Sequence, residues 1–193
     1  MNQSIKTAII TLDLINEICH PKGKLARYAD RIANKKIIET TNRVTAWGRE
    51  KGHLIFHVRV GFHPHYHDAS TRARLFKHAK ANAVLLLTEW GGQFCEELHV
   101  HQEDVQVIKH RVSAFYGTNL DLILRANRVE HLILTGVSTS NAVELTAREA
   151  HDRDYEVSIL EDATECASDE EQQASKQATT RLVDWKTFAE LVQ

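Results

Sequence analysis

Short apolar runs alternate with longer amphipathic segments along most of this chain. The apolar runs have few polar interruptions, as is typical of strands covered on both faces. They predict strands at residues 7–14, 53–60, 105–109, 131–135, 156–160 and, from a weaker pattern, 181–183. The amphipathic segments predict helices at residues 29–50, 120–126, 141–153, 170–178 and 185–192. This alternation implies right-handed crossovers, so we expect a doubly wound, three-layer α/β/α fold with a mostly parallel six-stranded sheet.

Residues 61–101 interrupt that rhythm. This segment contains a histidine cluster, a group of basic residues at positions 72–80, an apolar run at 83–87 and Trp90-Gly91-Gly92. Long excursions from a compact α/β core are often lids or interface segments. A chain of 193 residues suits one domain. We therefore expect a single domain over residues 1–193 with an insertion at about 61–101, whose apolar run is a candidate for a subunit contact.

Composition narrows the class of protein. Lys and Arg number 24 against 26 Asp and Glu, which leaves no basic surface for nucleic acid or an anionic membrane. No apolar run approaches the roughly 18 residues of a membrane span, and the first residues lack a signal-peptide cleavage site. Cys19, Cys95 and Cys166 lie far apart without a CxxC motif, which argues against a disulfide framework or a zinc ribbon. We expect a reduced, cytoplasmic protein.

Polar residues at three predicted strand ends are the candidates for chemistry, because ligands bind open α/β sheets at the carboxyl ends of the strands. Asp13 ends the first strand, Lys109 ends the third, and the fourth leads into a helix that begins near Ser140 or Asn141. Each feature also has an ordinary structural explanation. Asp13 could cap a helix or turn, Lys109 could be an exposed strand-end lysine, and the Ser/Thr residues could cap the helix without binding a ligand. Together they place a carboxylate, an ammonium and a helix N-terminus around one crevice. That set suits proton transfer to a bound substrate.

Three ordered blocks of sequence carry a family resemblance. They are IITLDLIN at 9–16, VIKHRVSAFYGT at 107–118 and LTGVSTSNAVELTAREA at 134–150, followed by Glu161-Asp162-Ala163. In these blocks the chain resembles the isochorismatase-like hydrolases, which include nicotinamidases and N-carbamoylsarcosine amidases. The resemblance implies a catalytic triad of a strand-end Asp, a strand-end Lys and a Cys early in the next helix. Asp13 and Lys109 match the first two, and the nucleophile position is Ala142.

The same resemblance implies further features. A cis peptide is expected between Val137 and Ser138, where it would orient amides toward a substrate, and both residues are candidates for substrate binding. A homodimer or homotetramer is also expected. The only other partner we expect is a small-molecule substrate, with no cofactor.

Alanine at position 142 changes the chemistry that the resemblance implies, because a methyl group cannot attack a carbonyl. None of the three cysteines is a convincing substitute, although Cys19, on the loop after the first strand, could line the crevice. The isochorismatases of the family lack the cysteine and cleave a vinyl ether by proton delivery and attack of water. On that route Asp13 is the acid and Lys109 its charged partner. The alternatives are a catalytically silent relative that binds a ligand or a protein, and an amidase engineered from Cys to Ala.

The histidine cluster and three aromatic residues complete the candidates. His63, His65 and His67 alternate, and His-x-His can bind zinc; the resemblance adds that nicotinamidases place metal ligands after the second strand. The full ligand pattern is absent, so we expect no metal here and interpret the loop as solvated, at the mouth of the site or at a subunit contact. For the substrate pocket the aromatic candidates are Phe62, Trp90 and Tyr116.

Overall fold

The computed structural model describes residues 6–193. Its six strands form one sheet in the order β3-β2-β1-β4-β5-β6, and every neighbouring pair is parallel. The strands are β1 (Thr7–Leu12), β2 (Leu54–Val60), β3 (Val105–Lys109), β4 (His131–Val137), β5 (Glu156–Glu165) and β6 (Asp184–Lys186). The order reverses direction at β1, so β1 and β4 flank the point where ligands bind in such sheets. The predicted fold class is confirmed.

Helices cover both faces of the sheet. They are α1 (Asn16–Cys19), α2 (Ala29–Asn34), α3 (Ile37–Glu50), α4 (Arg74–Asn82), α5 (Leu120–Ala126), α6 (Glu144–His151), α7 (Asp169–Thr179) and α8 (Phe188–Leu191). Ile10 and Leu12 of β1 pack with residues of α5 and α6 on one face. Ile9, between them in sequence, packs with Val44 of α3 on the other. Because successive side chains of a strand point to opposite faces of the sheet, β1 contributes to the apolar layer on each face.

Several predicted boundaries differ from the structure, and three of these differences have a local reason. The predicted helix at 29–50 is two helices, because Lys36 adopts a left-handed backbone with φ 54°. The sixth strand lies at Asp184–Lys186 rather than 181–183, since the amides of Leu182 and Val183 still bond to Thr179 at the end of α7. The last helix starts only at Phe188, where the Thr187 side chain caps it.

The insertion has its own apolar cluster. Helix α4 contributes Phe76, which packs with Phe62 and Tyr66 from the loop after β2. Val84 and Leu85 of the apolar run are buried in the same cluster, and the Tyr66 hydroxyl donates to the Val84 carbonyl at 2.8 Å. These two side chains therefore pack within their own chain. The subunit contact predicted for the run therefore stays a prediction, and it would have to use the more exposed residues Ala83, Leu86 and Leu87.

Within residues 6–193, no helix combines the length and apolar character that a membrane crossing requires.

Candidate active site

An ion pair between Asp13 and Lys109 lies at the carboxyl edge of the sheet. Lys109 Nζ is 2.7 Å from Asp13 Oδ2, and the two side chains are 1% and 6% exposed. Their strands, β3 and β1, are not neighbours, because β2 lies between them. Lys109 reaches across the end of β2, whose last residue, Val60, donates its amide to Asp13 Oδ1 at 2.7 Å. The structure thus brings together the first two predicted residues.

Backbone hydrogen bonds hold both members of the pair. Asp13 adopts a left-handed backbone with φ 54°, directly after β1, and its amide donates to the Val58 carbonyl at 2.9 Å. Lys109 Nζ also donates to the carbonyl oxygens of Val112, at 2.8 Å, and Arg111, at 3.3 Å. The three acceptors around the ammonium leave it little freedom, so the carboxyl group faces a fixed positive charge.

Burial raises the pKa of Asp13, and the attraction of the Lys109 ammonium and the hydrogen bonds from Lys109 and Val60 oppose that rise without reversing it. The carboxyl group therefore takes up a proton more readily than an exposed aspartate does. Once ionised, it is stabilised by the ammonium at 2.7 Å. A group of this kind can donate a proton and then hold the resulting charge.

The segment after β4 lies at the same edge of the sheet as the ion pair. Gly136 has φ 106°, and an added Cβ would lie 2.1 Å from the Leu12 carbonyl oxygen, so only glycine lets β4 approach β1 this closely. The peptide bond from Val137 to Ser138 is cis. A π-helical turn, Thr139–Val143, then leads into α6 and contains Ala142, which is 3% exposed.

Two amides of this turn are already engaged. Those of Asn141 and Val143 both donate to the Ser138 carbonyl oxygen at 3.2 Å, so they are not directed at a ligand, as an open helix N-terminus would require. The Val143 bond spans five residues, so the helix begins with a π-type turn, which is wider than an α-helical turn.

A cavity of about 370 Å³ connects these elements. Asp13, Lys109, Val137, Ser138 and Ala142 line it from the sheet edge. Helix α4 of the insertion lines the other side with Leu75, Phe76, His78, Ala79 and Asn82. The insertion therefore covers the ion pair, and the cavity is large enough for a small-molecule ligand.

Sequence reasoning missed several lining residues. Tyr28, the residue before α2, interacts with Ser138, and its pKa is raised to about 12, chiefly by burial, so the phenol stays protonated. Arg27 and Arg111 also line the cavity. Arg111 lies two residues after Lys109 in the second family block, which is the one signal that pointed toward it. Nothing in the local pattern marks Tyr28 or Arg27, because α2 joins the cavity only through tertiary packing.

Three predicted pocket aromatics lie elsewhere. Phe62 is buried in the insertion's apolar cluster, with its ring 5.6 Å from that of Phe76. Trp90 is 50% exposed and packs edge-on against His20, at 5.0 Å between ring centroids. Tyr116 is 64% exposed on the loop before α5. None of the three lines the cavity at Asp13, because Phe62 is turned into the core and Trp90 and Tyr116 are largely exposed to solvent.

Two histidine groups have different surroundings. The rings of His63, His65 and His67 lie 5.5–5.8 Å apart between centroids on an exposed loop. In the part of the chain that the structure describes, no group of His, Cys, Asp or Glu is arranged to hold a metal ion. The histidines present therefore do not fit the metal site that the nicotinamidase resemblance suggests.

His57 belongs to a buried hydrogen-bonded chain instead. Its Nδ1 lies 2.9 Å from Thr11 Oγ1 and its Nε2 lies 3.0 Å from Asp104 Oδ2, which Arg49 Nη2 contacts at 2.5 Å. Burial lowers the pKa of His57, although the Asp104 carboxylate opposes the shift. His57 is thus a neutral structural residue within the sheet.

A parallel sheet with a buried Asp–Lys pair and a cavity at its carboxyl edge defines an α/β protein with a candidate active site at the sheet edge. Comparisons with known proteins identify the family. The model of the Isochorismatase domain matches residues 7–192. The chain therefore belongs to the isochorismatase family.

Individual relatives cover most of the chain. The isochorismatase family protein YecD of Escherichia coli O157:H7 is 33% identical over 165 residues, which is 86% of this chain and 82% of that protein. The ureidoacrylate amidohydrolase RutB of Klebsiella pneumoniae is 30% identical over 172 residues, or 82% and 73% of the two chains. The crystal structure of N-carbamoylsarcosine amidase from Thermoplasma acidophilum superposes with a TM-score of 0.78 at 28% identity, over 95% of this chain and 96% of that one.

Proposed function

We propose that this protein is a hydrolase that acts on a small polar or anionic molecule by acid/base chemistry at Asp13, without a covalent cysteine intermediate. The observation that carries the proposal is the buried Asp13–Lys109 pair, which opens onto a cavity whose nucleophile position holds Ala142. Family membership supports hydrolysis as the reaction class, since relatives include amidohydrolases. Val137 and Ser138 line the same cavity and are proposed to contact the substrate.

The charges around the cavity favour an anionic substrate over a neutral polar one. Arg111 Nη1 donates only to the carbonyl oxygens of His110, at 2.5 Å, and Asp68, at 3.2 Å. Within residues 6–193, neither Arg111 nor Arg27 forms an ion pair with a carboxylate. Glu171, which also lines the cavity, accepts from the Ser140 hydroxyl and the Ala167 amide. Two guanidinium groups thus outweigh the one carboxylate outside the catalytic pair.

In the proposed mechanism, Asp13 delivers a proton to the substrate and Lys109 stabilises the carboxylate that remains. For a vinyl ether the proton goes to the enol carbon, and water then attacks the resulting oxocarbenium ion while its proton returns to the Asp13 carboxylate. The hemiketal that forms breaks its ether C–O bond, which releases a carbonyl compound and an alcohol. The raised pKa of Asp13 supports the acid role, because a buried carboxyl group is protonated over a wider pH range. Ala142 has no nucleophile, so the bond is broken without an acyl-enzyme.

A silent relative that only binds ligands is the second candidate, and Ala142 is the observation that favours it. A protein that serves only as a scaffold is expected to fill the space at the sheet edge with side chains. The cavity of about 370 Å³, lined by both Asp13 and Lys109, supports the hydrolase instead. The third candidate is an amidase whose nucleophilic cysteine was replaced with alanine by engineering. An Ala142→Cys variant should regain amidase activity in that case, which distinguishes this candidate from the hydrolase and the silent relative.

Turnover of a panel of vinyl ethers and amides, each tested as a carboxylate and as its methyl ester, tests the proposal. Wild-type protein should hydrolyse at least one panel compound that carries a free carboxylate. Asp13→Asn should lower kcat/KM by about 10²–10⁴-fold, since the asparagine side chain cannot transfer the proton. Asp152→Asn is the matched control, because that carboxylate is exposed and distant from the cavity. Full activity in purified, folded Asp13→Asn would exclude Asp13 as the acid.

The proposal includes a cytoplasmic homodimer or homotetramer. Light scattering of the purified protein measures the assembly directly.

A further inference from the structure

Two thiols that the proposed chemistry does not use lie together in a second cavity. Cys19 and Cys95 both line a space of about 660 Å³ between α2, α3 and residues 95–99. This cavity shares no lining residue with the one at Asp13. Both cysteines are buried in one apolar cluster with Leu14, which follows β1, and Ile37 of α3. They are reduced in the structure.

The backbone brings the two cysteines together from positions 76 residues apart in sequence. Ile15 forms an antiparallel bridge with Phe94. Beside it, the Cys95 amide donates to the Leu14 carbonyl at 3.0 Å, and the Cys19 amide donates to the Ile15 carbonyl at 2.9 Å. The two cysteines are therefore anchored to adjacent residues of one segment, Cys95 to Leu14 and Cys19 to Ile15, which holds them close together.

The side chains also interact. The neighbouring Cys95 thiol and burial together raise the pKa of Cys19 well above its usual range. Cys19 Sγ also donates to the Asp13 carbonyl oxygen at 3.7 Å. Cys166 has different neighbours: its Sγ lies 3.3 Å from Gln172 Oε1 and 3.5 Å from the Ser168 carbonyl oxygen. Only the first two cysteines form a dithiol.

We propose that Cys19 and Cys95 are a modification site, at which a small two-electron oxidant forms an intramolecular disulfide. One S–S bond forms and two S–H bonds break, while two protons and two electrons pass to the oxidant; hydrogen peroxide is thereby reduced to two molecules of water. The cavity gives a small oxidant a route to the two sulfurs. The bond would tie α1 to the segment at 93–95, next to the backbone of Asp13.

Oxidation of the full chain with diamide, an azo compound that accepts two electrons and two protons from a dithiol, tests the proposal. The folded protein should lose about 2 Da, because two hydrogens leave. Peptide mapping should locate one crosslink, between Cys19 and Cys95. The urea midpoint of the oxidised protein should also rise, since the crosslink restricts the unfolded chain.

The three cysteines supply matched variants. Cys166→Ser should behave as wild type, whereas Cys19→Ser and Cys95→Ser should each keep their full mass and their urea midpoint after treatment. A crosslink that involves Cys166, or one that appears only after the chain is unfolded in urea, would overturn the proposal. So would an unchanged mass of the folded wild-type protein. None of these measurements requires a substrate, so they stand or fall separately from the proposed hydrolase activity.

Discussion

Replacing Lys109 with methionine leaves the Asp13 carboxylate buried without its cation. The two side chains are 1% and 6% exposed and their charged atoms lie 2.7 Å apart, so water replaces little of the lost interaction. Removing one partner of a buried ion pair typically costs about 3–5 kcal/mol of the free energy of unfolding. Asp13 retains its hydrogen bond from the Val60 amide, which places the expected loss near the lower end of that range.

The double variant Asp13→Asn, Lys109→Met separates the charge effect from lost packing. It removes both charges and keeps an acceptor for the Val60 amide, so we expect it to recover most of the stability lost in Lys109→Met. Urea unfolding followed by the fluorescence of the three tryptophans gives the free energy of unfolding of each protein.

The pH dependence of Lys109→Met provides an independent check. Without the ammonium, only the hydrogen bond from the Val60 amide still opposes the effect of burial, so the folded-state pKa of Asp13 lies further above the unfolded value of about 3.8. A carboxyl group with a raised folded-state pKa binds protons more tightly in the folded state. Its destabilising effect is therefore present above that pKa and fades as the pH falls through it. A Lys109→Met variant within 1 kcal/mol of wild type, or a double variant no more stable than the single one, would refute the reasoning.

Two further predictions concern the turn after β4 and the buried chain at His57. In Ala142→Cys the new thiol should be alkylated faster than the three native cysteines, because position 142 lines the same cavity as the Lys109 ammonium, which favours the thiolate. Intact mass and peptide mapping locate the label, and an inert residue 142 would argue against its match to the nucleophile. The lowered pKa of His57 means that the folded state resists protonation of that ring. The stability of the folded state should therefore fall as the pH drops below about 6.5 toward the folded-state pKa. Thermal unfolding of His57→Gln should depend less on pH over that range.

The sequence by itself determined the sheet and the two charged residues of the site. Strands covered on both faces need apolar side chains at nearly every position, and that signal is local, so four of the six strands were predicted within two residues of their observed ends; β5 was predicted from its correct start but ends five residues later, at Glu165. Asp13 and Lys109 stood out because each follows directly on such a run. Weaker local signals misplaced β6, which has three residues and is defined by its pairing with β5.

Contacts between distant segments were decided only by the tertiary structure. Asp13 and Lys109 are 96 residues apart and meet across the end of β2, and no local pattern encodes that crossing. Tyr28 reaches the cavity because α2 turns away from α3 at Lys36. Cys19 and Cys95, which the sequence shows as isolated residues, meet because one short bridge joins Ile15 to Phe94. The physical reason is common to all three: local periodicity reports which side of a segment is buried, whereas the crossovers and loop packing select what it is buried against.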